Sequence, residues 1–320
     1  MARHGEHRLP DFIIAGAMKS GTTSLHQILA CDPRIFIPGR EIFFFDMDDL
    51  SQHPDFWYRD GTAWLTQRYS PSDPRALAWY SAFFAAAEEA QWIGEDSTSY
   101  LSSAKAAQRI AELLGEARII LLLRDPAARA YSHYWHLVRT GRTTFGFEDA
   151  LRFAPATMIH CSLYKPQVER FRAAFGKERL LILVFEEFVA DVEGQVKLVY
   201  DFLGIPDPPD VGRVERHHNA ALVPRWPRAQ LWWNRVHRRF LAGDRYRRHL
   251  PNAPAAPQSP RVVRLADRVF RAVNPSLPRR PPPMRPATRR MLNEYFAVQN
   301  EGLDKLVEKD LRQYWYRDQG

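Results

Sequence analysis

Eight residues near the amino terminus, Gly16-Ala17-Met18-Lys19-Ser20-Gly21-Thr22-Thr23, combine small side chains, hydroxyls and one cation in the proportions an anion needs. They lie between a short apolar run and a segment with helical spacing at Leu25, Ile28 and Leu29. The loop therefore delivers its backbone N–H groups to the start of a helix, where the dipole favours a phosphate. The small residues let the backbone approach the anion, Lys19 supplies charge, and Ser20, Thr22 and Thr23 add hydroxyl donors. The nucleoside-triphosphatase pattern GxxxxGK[ST] places its lysine after the second glycine and a magnesium-binding hydroxyl after that. Here Lys19 precedes Gly21, so that pattern is not met.

A second constellation follows the apolar run Arg118 to Leu123. Arg124-Asp125-Pro126 ends that run, and Arg129-Ala130-Tyr131-Ser132-His133-Tyr134-Trp135-His136 continues on a helix, so Arg124 and Ser132 can face one ligand. The carboxyl ends of parallel strands are where such folds bind. Tyr131, Tyr134 and Trp135 read as packing, the commoner fate of an aromatic stripe. Upstream, Arg40-Glu41-Ile42-Phe43-Phe44-Phe45 sets a carboxylate beside three phenylalanines, which can desolvate it and raise its pKa toward the working range of a general base. The plainer alternative for Glu41 is a solvated carboxylate paired with Arg40. For His136 it is a structural helical histidine.

These groups need elements to hold them. Residues 11–17 form an apolar strand ahead of the loop, with helix from Ser24 to Ala30. Arg118–Leu123 is a second strand, leading into a helix over 128–138, and Leu180–Phe185 is a third, leading into a helix over 192–202 that Gly204 and Pro206 close. Continuous apolar runs alternating with helices predict an α/β fold of three layers around a central parallel sheet. After Pro206 the chain becomes dense in Pro, Arg and Trp, and PNAPAAPQSP and PSLPRRPPPMRP read as linkers or stiff extended segments. Residues 287–311 read as one regular helix. The expected organisation is a single domain with a nucleotide-binding core at 10–206, an irregular basic cap at 207–286 and a closing helix over 287–320.

With 320 residues, 45% hydrophobic and 26% charged, the composition is that of a globular chain and excludes a disordered one. A net charge of +8 implies anionic partners without choosing among them. Two cysteines, Cys31 and Cys161, exclude a disulfide framework, and no run of about 18 apolar residues offers a membrane span. The cysteine usage and the lack of a signal-peptide core after MARHGEHRLP predict a cytoplasmic location.

The ordered set of motifs resembles the sulfotransferases, in particular the branch of heparan sulfate sulfotransferases and their bacterial relatives. AGAMKSGTTSL is similar to that family's 5′-phosphosulfate loop and IILLLRDPAARAYSHYWH to its 3′-phosphate motif. REIFFFD, GEDSTSYL, SLYKPQVERF, VFEEF and YDFLGIP follow in the family's order, and NEYFAVQNEGLDKLVEKDLRQYW resembles its carboxyl terminus. The resemblance implies a P-loop-like sulfotransferase fold and 3′-phosphoadenosine-5′-phosphosulfate as co-substrate, released as adenosine 3′,5′-bisphosphate, with no metal in the transfer step. Lys19 would meet the bridging oxygen, with Ser20, Gly21, Thr22 and Thr23 around the 5′-phosphate. Arg124 and Ser132 would hold the 3′-phosphate. Glu41 would be the base, and His136 a second base or a donor to the sulfuryl oxygens. Tyr164, Asn219 and Arg225 would close over the nucleotide.

Two departures bear on the acceptor. Relatives acting on heparan sulfate carry a histidine where Phe43 stands and a lysine where Asp96 stands, which speaks against a heparan-type acceptor here. Their glycine-rich basic loop near the carboxyl terminus is also missing. The partner expected is a carbohydrate, glycolipid or other small molecule, not nucleic acid, with peripheral membrane contact through the Arg- and Trp-rich stretch 213–248. The rival readings are a phosphoryl transferase using Thr22 and Asp125 as magnesium ligands, and a basic surface binder of nucleic acid or membrane.

Overall fold

The computed structural model describes residues 3–4, 7–60, 62–66, 69, 72–87, 92–209, 222–241 and 260–316. After a short amino-terminal ladder of β1 (Arg3–His4) and β2 (His7–Arg8) come β3 (Phe12–Gly16), α1 (Thr22–Ala30), β4 (Ile35–Phe36) and a small hairpin of β5 (Tyr58–Asp60) and β6 (Ala63–Leu65). Next are α2 (Pro74–Ser81), β7 (Trp92–Asp96), α3 (Ala106–Leu113), β8 (Arg118–Leu123), α4 (Pro126–Thr140), α5 (Phe147–Phe153), α6 (Ala156–Ile159) and α7 (Tyr164–Phe175). β9 (Leu180–Val184), α8 (Phe185–Ala190) and α9 (Val192–Leu203) complete the core.

Five strands form the central sheet in the order β4-β7-β3-β8-β9, and all its neighbours pair parallel. Alternate side chains of the strands go to opposite faces, as the pleat requires. Ile13, Ala15, Ile119, Leu121 and Leu123 join a cluster with α3 and α7, whereas Phe12, Ile14, Ile120 and Leu122 join one with α1 and α9. Every residue of β3 is buried, so the strand is apolar on both faces, and helices cover each: the expected three-layer α/β arrangement. Asp125 caps α4 by accepting from the Ala128 N–H at 2.7 Å, with Pro126 at its first position, and Gly141 in the left-handed region ends it.

Two expectations change. The segment after Pro206 is more regular than predicted: β10 (Leu222–Pro224), α10 (Pro227–Leu241), α11 (Arg261–Val273) and β11 (Ser276–Pro278) are ordered elements, β10 and β11 forming an antiparallel ladder. Proline there starts α10 and borders the ladder instead of preventing structure. Of PNAPAAPQSP only Pro260 lies within the described residues. The closing helix is also not continuous. α12 (Pro286–Gln299) stops before Gly302, whose φ of 81° is left-handed, and α13 (Leu303–Val307) follows as a separate helix. Asn300 holds that break, accepting from the Lys165 N–H at 3.2 Å and donating to the Ser162 carbonyl at 3.0 Å.

The carboxyl-terminal tail returns beneath the sheet edge. Trp315 is buried, its ring centroid 5.7 Å from that of Tyr164, and its indole N–H donates to Glu186 at 3.0 Å. Glu186 also accepts from the Asp125 N–H at 3.0 Å, so one carboxylate ties the tail to the strand end that carries Arg124. Trp315→Ala removes a filled core site and that bond, and should lower unfolding stability by about 3–5 kcal/mol, read from the denaturant midpoint at constant slope. A loss below about 1 kcal/mol would mean the tail is not part of this core.

Candidate functional site

The loops that leave the carboxyl ends of β3, β7 and β8 meet where the order of connections reverses across β3, the position at which open parallel sheets bind ligands. The first of these loops is shaped by two glycines. Gly16 has φ 144°, and a Cβ there would lie 2.8 Å from both the Thr98 carbonyl oxygen and the Leu101 Cβ. Gly21 has φ 92°, and its Cβ would stand 2.8 Å from the Phe185 ring. Between them Lys19 itself is left-handed at φ 70°, a conformation a lysine holds only when its surroundings fix it. Arg124 does so, Nη1 donating to the Lys19 carbonyl at 3.0 Å while its guanidinium lies 4.5 Å from the Phe185 ring centroid.

Gly21 begins α1 without a side-chain cap, and the N–H groups of Thr22 and Thr23 have no acceptor within the helix. Ser20 is fully buried and its hydroxyl makes no regular hydrogen bond, although it stands close enough to the Tyr164 phenol to favour its ionised form. These unmet donors surround a cation. Burial, then Arg139, Arg124 and Arg129, push the Lys19 pKa down, and Glu41 pulls it up. Arg129 is fully buried, with Nε on the Ser162 hydroxyl at 2.6 Å, Nη2 on the Thr157 and Met158 carbonyls, and Nη1 unpartnered. A site that concentrates positive charge in this way favours a polyanion.

Glu41 reaches the same place from the segment after β4. Its Oε1 accepts from the Thr98 N–H at 2.9 Å and the Thr98 hydroxyl at 2.5 Å, so Oε2 is the oxygen available to take a proton. Burial and the nearby Asp96 carboxylate raise its pKa to about 6, against the opposing pull of Thr98 and His53. The pairing with Arg40 does not form, because that guanidinium sits 4.6 Å over the Phe83 ring. Phe44 and Phe45 turn into the core, while Phe43, at φ 60°, reverses the chain beside Glu41.

A buried polar network holds that reversal. The Ser97 hydroxyl accepts from the Ile42 and Phe43 N–H groups, each at 3.1 Å, and donates to Glu95 at 2.8 Å. Glu95 also accepts from the Tyr80 and Tyr100 hydroxyls at 2.5 Å, and burial raises its pKa to about 7.

On α4, Ser132 and His136 are one turn apart on one face, and Arg139 follows three residues after His136. Burial, then Lys19 and Arg139, hold the His136 pKa down at about 3, and its Nδ1 faces Arg139 Nη2 at 3.3 Å. Nδ1 is thus the acceptor and Nε2 carries the hydrogen: His136 is equipped to donate, not to act as base. The hydrogen bond of Arg124 goes to the Lys19 carbonyl and not to Ser132.

Tyr164 is fully buried and its hydroxyl donates to the Arg124 carbonyl at 3.0 Å, so it positions the arginine from below. Arg225 is exposed and stacks 4.8 Å from the Trp226 ring, away from the cations that weigh on Lys19. Asn219 lies outside the described residues.

Sequence reasoning missed three groups. Arg139 gave no signal beyond being basic at helical spacing from His136. Thr98 lay inside a quoted motif without a role. His53 is the third: its ring lies 4.8 Å from that of Phe43 and its Nε2 is 2.9 Å from Asp46 Oδ1. A histidine therefore stands beside position 43 after all, supplied from ten residues downstream. The magnesium ligand set of the rival reading is not assembled. Asp125 Oδ1 is committed to the α4 cap, and Oδ2 accepts from Arg289 at 2.7 Å and from the Tyr316 N–H at 3.4 Å.

Comparison with known proteins matches this architecture. Among curated proteins, heparan sulfate glucosamine 3-O-sulfotransferase 3A1 of Mus musculus is 29% identical over 209 residues, covering 63% of this chain and 47% of the relative. The bifunctional heparan sulfate N-deacetylase/N-sulfotransferase 2 of Bos taurus is 27% identical over 213 residues, 62% of this chain and 22% of the relative. The chain thus spans about half the length of the first and about a fifth of the second. The crystal structure of a sulfotransferase from Alicyclobacillus acidocaldarius superposes with a TM-score of 0.59 at 23% identity, over 96% of this chain and 99% of that one, which identifies the fold. The family described as Sulfotransferase family matches residues 10–209, the span that contains the cradle, Glu41, Arg124 and α4, and the chain belongs to that family.

Proposed function

We propose that this chain transfers a sulfuryl group from 3′-phosphoadenosine-5′-phosphosulfate to an acceptor hydroxyl or amine by in-line displacement. The observation that carries the proposal is the convergence on Lys19 of an anion cradle, Arg124 and a carboxylate with its pKa raised to about 6. Glu41 Oε2 takes the acceptor proton as the acceptor atom bonds to sulfur. Lys19 and the N–H groups of the cradle stabilise charge gathering on the bridging oxygen as its bond to sulfur breaks. His136 Nε2–H donates to the sulfuryl oxygens, and Arg124 with Ser132 selects a 3′-phosphate. The buried cations select a polyanionic donor, whose charge opposes the burial and the neighbouring arginines that lower the Lys19 pKa.

The acceptor is a carbohydrate, a glycolipid or another small molecule. Asp96 narrows the choice. It is buried, its Oδ1 lacks a partner, and His26 Nδ1 is 3.4 Å from Oδ2. Beside Glu41, such a carboxylate favours an acceptor that brings a hydroxyl or ammonium donor and disfavours one that brings a uronate. A glycolipid acceptor would be reached from a membrane surface, which the Arg- and Trp-rich stretch suits.

Calorimetric titration with adenosine 3′,5′-bisphosphate, AMP and ATP tests the donor site. Binding should favour the 3′-phosphate, and Arg124→Ala should weaken it by about 1.5–3 kcal/mol, a larger loss than AMP suffers from the loosened Lys19 loop. Equal affinity for the three nucleotides would overturn the assignment.

The pH profile tests Glu41. A carboxylate whose pKa is raised in the fold is protonated, and inactive as a base, below about pH 6, so kcat/KM should climb as pH rises through about 6 and then level off. His136, neutral throughout that range, adds no step. Glu41→Gln should lose about 10²–10⁴-fold in kcat together with this acid limb, and keep bisphosphate binding. A flat profile from pH 5 to 7 would remove Glu41 from the role of base.

A further inference from the structure

The basic region after the matched family span has its own chemistry. Residues 222–290 hold seventeen arginines, no lysine or glutamate and only two aspartates, Asp244 and Asp267, in a chain whose net charge is +8, so the remainder is net acidic. Within it α11, RVVRLADRVFRAV, has no buried residue although about half of it is apolar. A surface helix normally turns its apolar face to the core.

Its faces separate cleanly at 100° per residue. One edge is attached to α10: Phe270 stacks on Trp233 with ring centroids 4.3 Å apart, Trp233 Nε1–H donates to Asp267 at 3.3 Å, and Asp267 pairs with Arg271. A second face carries Val262, Leu265, Val269 and Val273, spaced three or four apart and exposed by 77%, 60%, 56% and 52%. Arg261 and Arg268 run along one side of that stripe, both exposed. On the neighbouring α10, Trp232 and Val236, one turn apart, are 60% and 52% exposed, and Arg228 and Arg235 are exposed as well.

We propose that α11 is an interfacial helix, its Val262–Leu265–Val269–Val273 stripe entering the acyl boundary of an anionic membrane while Arg261 and Arg268 reach the lipid phosphates. A stripe of this width without charge, bordered by arginines whose aliphatic stems can lie along it, is the pattern that rests in the plane of a bilayer surface. Nucleic acid would use the arginines but gains nothing from four aligned aliphatic side chains. A second copy of this chain would bring the same positive charge against itself. The surface stands independently of sulfuryl transfer, and only its use in reaching a lipid-borne acceptor rests on that reading.

The full chain should sediment with vesicles of phosphatidylcholine plus phosphatidylglycerol and not with phosphatidylcholine alone, and salt should weaken the partition. Leu265→Asp/Val269→Asp, at exposed positions, should reduce partition about tenfold or more, and Arg261→Gln/Arg268→Gln should reduce it and its salt dependence. Adenosine 3′,5′-bisphosphate affinity, which neither pair touches, verifies the fold. The proposal is overturned if the wild-type chain stays in the supernatant, or if the stripe variant sediments as well as wild type. Salt-sensitive RNA binding without vesicle binding, or a dimer that the stripe variant dissociates in place of vesicle binding, would overturn it equally.

Discussion

The bond from Arg124 to the Lys19 carbonyl joins the two halves of the proposed donor site. It pins a lysine in a left-handed conformation and carries a second cation to the rim of the same loop, so one 3.0 Å contact sets both the shape and the charge of the cradle. Everything around it serves to hold Arg124 still. Tyr164 takes its carbonyl from below, Phe185 lies under its guanidinium, and Glu186 and Trp315 fix the strand end through the Asp125 N–H. The cost is electrostatic: burial and neighbouring cations depress the pKa of both Lys19 and Arg124. A fold keeps such a site only where a ligand offsets the repulsion, and strain and unmet charge of this kind gather at ligand clamps.

The carboxylate side is built on the opposite principle. Glu95 is buried and accepts from three hydroxyl donors, Tyr80, Tyr100 and Ser97, while desolvation raises its pKa to about 7. Through Ser97 that network fixes the Ile42 and Phe43 N–H groups, and hence the reversal that aims Glu41 at Lys19. A fully satisfied buried network is rigid, and rigidity is what a general base requires.

The donor half was legible from sequence because its signals are local. Gly16, Lys19 and Gly21 lie within one loop, Arg124 ends an apolar run, and the strands β3, β8 and β9 are uninterrupted stretches of aliphatic residues. β7 was missed because Glu95 and Asp96 interrupt its apolar pattern, and what satisfies them comes from α1, α2 and the turn after the strand, at distances no window of sequence displays. His53 and Arg139 were missed for the same reason: each gains its meaning from a partner brought by folding. The cap from 222 onward was underestimated since proline and arginine read as irregular, whereas the Trp233–Phe270 stack and the β10–β11 ladder supply the order that composition hid.

The span matched by the family ends near where the charge character changes, and this division has a physical consequence. The backbone N–H groups and buried cations proposed to recognise the donor lie inside the span. In the proposed reaction, acceptor recognition falls to Phe43 and the buried Asp96, and to His53, which enters beside Phe43 from a different segment. With a carboxylate pair at the base and an arginine-rich cap outside the span, attraction to an anionic surface and selection of the acceptor fall to different parts of the molecule. On the proposed reading, a buried Asp96 with an open oxygen discriminates against anionic acceptors while the arginine-rich cap favours negative charge. Long-range steering and short-range specificity need not share a sign, because the first acts over roughly a Debye length of 8–10 Å and the second through desolvated contacts.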